Sequence, residues 1–243
     1  NGIVAMMGGD FQAARDFSGR GLSVMPSHSV LLSCRTALEY HSGGLDEGAV
    51  YLERLLEAMR LVPPGPTFEY AAVAKQLPEI ALVTGTADHF EVAESAADVV
   101  LSSPSAGLAL IMWARASLAM VAVHRGDALA AEEQRAAIES RPGIMLMFTS
   151  CDRLLGLLSL TIGDLDQAMA YFEDAVTFCR KAGYRPELAW TCRDFADAPL
   201  ERDGEGDGEK AVQLLDESLA ISSEVGMRPL MERVLSRREI LKA

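Results

Sequence analysis

Residues Ser150–Val176 read SCDRLLGLLSLTIGDLDQAMAYFEDAV. Two apolar runs with helical spacing flank the turn Ile162-Gly163-Asp164. Glycine ends a helix in the left-handed conformation at little cost, and an aspartate after it takes up the first free amides of the next helix. Gly156 in the first run and Ala168 in the second are small enough for two helices to touch there, and Phe172 and Ala175 continue that face. The stretch predicts two helices folded back on one another.

The same punctuation recurs in GGDFQAARDF, GGLDEGAVYL, GTADHFEVAE, RGDALAAEEQ and GDGEKAVQLL. The aspartates are Asp10, Asp46, Asp88, Asp127, Asp164 and Asp207, at spacings of 36, 42, 39, 37 and 43. Each is expected to cap a helix. Partner helices are expected near Ser27–His41, Thr67–Val83, Ser105–His124, Met145–Ile162, Pro186–Ala198 and Arg228–Leu241. Pro26, Pro66, Pro104, Pro142, Pro186 and Pro229 mark their starts, where a missing N–H costs least. No run alternates with period two, and no Asn-Gly turn signals a hairpin. The expectation is an all-α fold, an α-α superhelix (solenoid) of about six antiparallel helix pairs. It is read as one repeat domain over 1–243, with units near 1–26, 27–66, 67–104, 105–142, 143–185 and 186–226 and a terminal helix at 227–243.

The Ser150–Val176 unit resembles a tetratricopeptide (TPR) repeat, with its small residue in each helix and its aromatic further along the second. Ala119 and Ala131 hold the small positions around Asp127. Leu38 and Val50 around Asp46, and Ile80 and Val92 around Asp88, depart from the pattern. The spacings also exceed the roughly 34 residues of the standard repeat. Residues 185–241 resemble the C-terminal TPR region of bacterial multidomain signalling proteins, through RPELAWT, DFAD, AVQLLDESLAI and GMRPLMERV. In that family an AAA-type ATPase precedes the repeats, and a nucleotide cyclase, a kinase or a LuxR-type DNA-binding domain supplies the output. Pro199 stands where leucine is expected and is read as stopping a helix near Ala198.

The resemblance implies a non-catalytic, cytoplasmic protein–protein interaction scaffold in signalling or transcription regulation. It would dock a partner protein or the chain's own upstream modules. The alternative is a ligand-sensing domain with a small effector in its concave groove. Carrying the repeat pattern over from each aspartate puts Arg35, Glu39, Trp113, Met120, His124 and Arg153 on the concave face. Trp113 and Arg153 are the expected anchors, because aromatic and guanidinium groups often dominate recognition.

Composition narrows the classes. The chain is 49% hydrophobic but only 6% aromatic, which suits close-packed Ala- and Leu-rich helices. With 22 Lys and Arg against 35 Asp and Glu, its formal charge of −13 repels phosphate backbones, so no nucleic-acid partner is expected. Cys34, Cys151, Cys179 and Cys192 form no C-x-x-C pair and read as small apolar residues in a reducing compartment. The chain opens at Asn1 without Met and is at once apolar from Ile3 to Met7, so it is read as a piece of a longer chain whose cut edge leaves homodimerisation open. Ser105–Val123 is long enough to span a bilayer. Its six Leu, Ile and Val residues gain roughly 2 to 4 kcal/mol, which Arg115 offsets by about 2.5 to 3.5, so no membrane segment is expected.

Catalytic motifs are missing from the sequence. It has no Walker loop, no G-x-S-x-G elbow and no H-E-x-x-H helix; Gly19–Gly21 lacks the third dinucleotide glycine, and His89-x-Glu91 has no accompanying P-C-x-x-C. No enzyme, cofactor or metal is expected. The methionines, including Met145 and Met147 in the exposed-looking MLMF, read mainly as core filling. ERDGEGDGEK, Glu201–Lys210, offers Asp203, Glu205 and Asp207 at calcium-loop spacing, but the chelating twelfth position falls on Leu214. It reads as a lengthened turn with Asp207 capping the helix after it.

Overall fold

The structure, a computed structural model, describes residues 1–241; Lys242 and Ala243, the end of the expected terminal unit, lie outside the described residues. It is all-α apart from one short hairpin. The helices are α1 (Gly2–Gly8), α2 (Phe11–Val24), α3 (Ser29–Ser42), α4 (Leu45–Arg60), α5 (Phe68–Thr84), α6 (Phe90–Leu101), α7 (Leu108–Arg125) and α8 (Ala128–Ile138). After the strands β1 (Met145–Leu146) and β2 (Thr149–Ser150) come α9 (Cys151–Ile162), α10 (Leu165–Ala182), α11 (Arg185–Phe195), α12 (Asp197–Arg202), α13 (Asp207–Val225) and α14 (Arg228–Ile240). The chain divides into two compact units, one of Asn1–Met6 with Asp10–His124, the other of Met7–Gly9 with Arg125–Ala243.

Capping explains most boundaries and corrects the register. Asp10, Asp127 and Asp164 cap α2, α8 and α10, accepting from Ala13, from Leu129 and Ala130, and from Gln167. Asp46, Asp88 and Asp207 do not cap. Gly44 is the N-cap of α4, with Asp46 inside the first turn, where its charge suits the helix dipole. His89 is the N-cap of α6, and Gly206, at φ +80°, that of α13. Counted four residues on from the observed cap, α2, α4, α6, α8 and α10 all bury a small residue: Ala14, Gly48, Ala93, Ala131 and Ala168. The departures at Val50 and Val92 were miscounts from Asp46 and Asp88, and both valines are exposed.

Two further expectations are corrected. The helix expected over Met145–Ile162 begins only at Cys151, capped by Ser150, and β1 and β2 pair antiparallel ahead of it. Met147 turns that hairpin at φ +65°, a conformation no sequence signal announced. Leu146, Met147 and Phe148 are buried, so MLMF is interior rather than exposed. The helix expected to stop near Ala198 ahead of Pro199 ends earlier: α11 ends at Phe195 and α12 restarts at Asp197. Pro199 thus lies in a first turn, where its missing N–H was unpaired anyway.

In the first unit α3 packs on α2, α4 and α5, and α5 on α4 and α6. Most of α5 is buried, although Pro78 lies inside it. Proline has no N–H for the carbonyl four residues earlier, Ala74. The Ser117 hydroxyl of α7 donates to that carbonyl at 2.7 Å, so the gap is filled from outside the helix. α7 is, among the described residues, the one helix long and apolar enough to cross a membrane, and half of it is buried within the fold.

In the second unit α9 packs on α8 and α10, α11 on α10 and α13, and α13 on α12 and α14. Gly156 is where α9 and α10 touch: a Cβ there would stand 2.8 Å from the ring of Phe172, which itself stacks on Phe195 at 5.3 Å. Cys34, Cys151, Cys179 and Cys192 are buried and free of disulfides. Burial raises every one of these thiols, Cys34 and Cys151 to about 12, which makes them poor nucleophiles.

Candidate functional site

The charged residues that the sequence aimed at a groove are mostly tied to the interior. Glu39 on α3 is 2% exposed. Arg15 of α2 donates to its two oxygens at 3.0 and 2.9 Å, and Arg35 donates at 2.7 Å from one turn earlier. Burial opposes the Glu39 charge, but the two guanidiniums outweigh it and hold the carboxyl below its usual range. Arg35 also reaches Glu47 at 2.7 Å and lies over the Tyr51 ring. Arg35 and Glu39 are therefore brought together, as partners of each other.

On α7, Trp113 is half-buried and meets Phe68 edge-to-face at 5.9 Å. Met120 is buried, its sulfur 3.8 Å from the Lys75 ammonium. His124 is exposed and packs edge-to-face on Phe90 at 4.9 Å. Sequence reasoning missed the polar group behind Met120. Lys75 pairs with Glu79 one turn along α5, and Gln76 sits between them, all three buried. The Gln76 amide oxygen has no hydrogen-bond partner. The signal was available: Lys75, Gln76 and Glu79 interrupt the apolar run AAVAKQLPEIALV. A charged side chain inside such a run is either paired or functional.

Arg153 occupies the interior of the second unit. Its guanidinium donates to Asp194 at 2.8 Å and Glu187 at 2.9 Å, both on α11, and lies 5.5 Å from the Trp190 ring centre. Burial disfavours this charge, yet the two carboxylates raise its pKa above the ordinary arginine value. Glu187 also accepts the Ser150 amide at 2.6 Å, fixing the end of the β1–β2 hairpin. From Asp194 the network runs through Arg193 and Asp197 to Arg237 on α14. Glu187 and Asp194, seven residues apart, share a helix face, and that spacing was the signal missed in RPELAWTCRDF.

A groove of about 370 Å³ lies between α10 and α13, with Phe195 among its lining residues. Glu173–Lys210 at 2.6 Å and Arg180–Glu217 at 2.5 Å join its two walls. Both pairs are 37 residues apart, so α10 and α13 run parallel. In the first unit Phe68–Trp113 and Lys75–Met120 share an offset of 45, and α5 and α7 are likewise parallel. Just ahead of α13 the acidic glycine stretch closes on itself. Asp207 accepts from Arg202 at 2.8 and 2.6 Å and from the Gly204 amide at 2.8 Å, and Arg202 draws its pKa down to about 2. No three His, Cys, Asp or Glu residues stand where they would hold a metal among the described residues. No protein-family model matches the chain, and no curated protein matches it.

Proposed function

We propose that this chain is a TPR-like helical-repeat scaffold, a non-catalytic part of a cytoplasmic bacterial signalling or transcriptional regulator. It docks a partner protein or the upstream modules of its own polypeptide. The observation that carries this reading is the repeated register. One pair of helices in each unit runs parallel at a constant offset, 45 residues for α5 and α7 and 37 for α10 and α13, and a buried small residue follows the cap by four positions in five helices. Such repetition makes extended recognition surfaces without a catalytic pocket. Analytical ultracentrifugation of the purified chain with separately expressed upstream modules tests it. A defined complex is expected; if every module and candidate partner sediments apart from the chain, the scaffold reading fails. The same runs report whether the chain self-associates into a homodimer.

A second reading, a small effector bound beside α5, is favoured by the buried Gln76 oxygen without a hydrogen-bond partner, on the helix that also buries Lys75 and Glu79. A ligand that donates to that oxygen would raise the melting temperature in step with its concentration. Flat melting curves across a metabolite panel would remove this reading.

A further inference from the structure

The first unit carries a second groove, of about 410 Å³, on a face the repeat pattern did not single out. One wall is the α6 stripe Glu91, Val92, Ser95, Ala96 and Val99, and the other includes Met59 and Tyr70. The volume lies at the low end of small-molecule pockets, about 300–1,000 Å³, which leaves room for a few side chains. The stripe has a shape of its own. Ser95 and Ala96 are small and stand between Val92 and Val99, making a low saddle about 10 Å long between two apolar walls. Ridges of an incoming helix seat in such a hole, as they do between packed helices.

Its charge is one-sided. Glu91 is the only acid lining the groove, and no Lys, Arg or His lines it. Glu91 has no ion-pair partner among the described residues. Arg60, next in sequence to Met59, is turned away to Glu53 and Glu57. The chain as a whole carries −13, which attracts basic segments to an unpaired carboxylate.

We infer that this groove docks an amphipathic helix of a partner protein, with an apolar ridge across Ser95 and Ala96 and a Lys or Arg paired with Glu91. The inference rests on the scaffold reading and adds to it a place and a partner chemistry. A displayed library of randomised short helices, panned against the full chain, tests it. Clones are counter-screened on Ser95→Trp, which fills the saddle from an exposed position, and on Glu91→Lys. The expected result is enrichment of helices with apolar residues at three- and four-residue spacing and one basic residue. Their affinity should fall at least about tenfold on either variant, while both variants keep the parent's circular dichroism. Enriched clones that bind Ser95→Trp as well as the parent, clones with no basic residue, or no enrichment at all would each overturn it. Sedimentation of Ser95→Trp with an upstream module that binds the parent separates the two levels. An unchanged complex overturns the groove and leaves the scaffold standing; a lost complex supports the groove.

Discussion

The two units bury charge in opposite senses. In the first, one carboxylate, Glu39, is gripped by two guanidiniums, Arg15 and Arg35. In the second, one guanidinium, Arg153, is gripped by two carboxylates, Glu187 and Asp194. The outer partners decide how much each arrangement matters. Side-chain exposure is 31% for Arg15 and 12% for Arg35, against 4% and 2% for Glu187 and Asp194. Water can replace a lost partner in the first cluster and not in the second.

The largest expected effect follows from that difference. Arg153→Met removes the buried cation that Glu187 and Asp194 share and leaves Asp194 only its bond to the more exposed Arg193, and losses of about 3–5 kcal/mol are usual for such a break. Glu39→Gln leaves two arginines that can turn to solvent, and about 1–2 kcal/mol is expected. Urea unfolding of both variants measures the contrast; equal losses would mean that exposure does not set the cost. Acid sharpens it. The Glu39 pKa is lowered in the fold, so its contribution is complete above the usual glutamate value of about 4.3 and fades as pH falls below it.

Hydroxyls offer a second, smaller comparison. Ser117 donates to Ala74 in the first unit and Ser218 to Ala189 in the second, both at 2.7 Å. The Ala74 carbonyl has lost its helical donor to Pro78, whereas Arg193 supplies an ordinary N–H four residues after Ala189. Ser117→Ala therefore orphans a buried carbonyl and costs about 1–3 kcal/mol, and Ser218→Ala costs about 1. The double variant Pro78→Ala/Ser117→Ala tests the cause. Restoring the backbone donor should make the serine's loss cheaper; a cost unchanged by Pro78→Ala would break this account.

The glycine contacts show what could be read from the sequence. Gly156 stood out because Asp164 truly caps α10, and counting from a true cap gives the correct face. Gly48 of α4 makes the equivalent approach, where an added Cβ would stand 2.8 Å from the Tyr40 ring, but the count from Asp46 landed two residues late on exposed Val50. A glycine N-cap leaves no side-chain signature, and so the sequence misled there. Helix existence and pairing were legible because turn and apolar period agree. The charge clusters were not, because Arg153 meets Glu187 and Asp194 only through packing of α9 against α11. Gly156→Ala must push into the fully buried, stacked Phe172, and overpacking of this kind costs about 1–3 kcal/mol, less up to about 1 gained in helix propensity. Gly48→Ala meets Tyr40, which is 8% exposed and freer to give, so its melting temperature should fall less. The reverse order would show that the two approaches are not equivalent.

Asp152 gives the smallest effect and the opposite sign to Glu39. It lies in the first turn of α9, buried, with one oxygen accepting the Gly143 amide at 2.9 Å and the other without a partner. Burial raises its pKa; the Gly143 hydrogen bond pulls it back, and Asp174 adds to the rise. A raised carboxyl is a liability when ionised. The fold regains stability as pH falls through the folded value, until the unfolded chain also protonates near about 3.9. Asp152→Asn keeps an acceptor for Gly143 and removes the buried charge. At neutral pH it should match or exceed the parent by up to about 1 kcal/mol, and that advantage should shrink as both are acidified towards pH about 4. Melting curves of the two proteins across that range decide the matter. An asparagine variant clearly weaker than the parent at pH 7 would mean that the Asp152 carboxylate is held by a partner that compensates its burial, as Glu39 is.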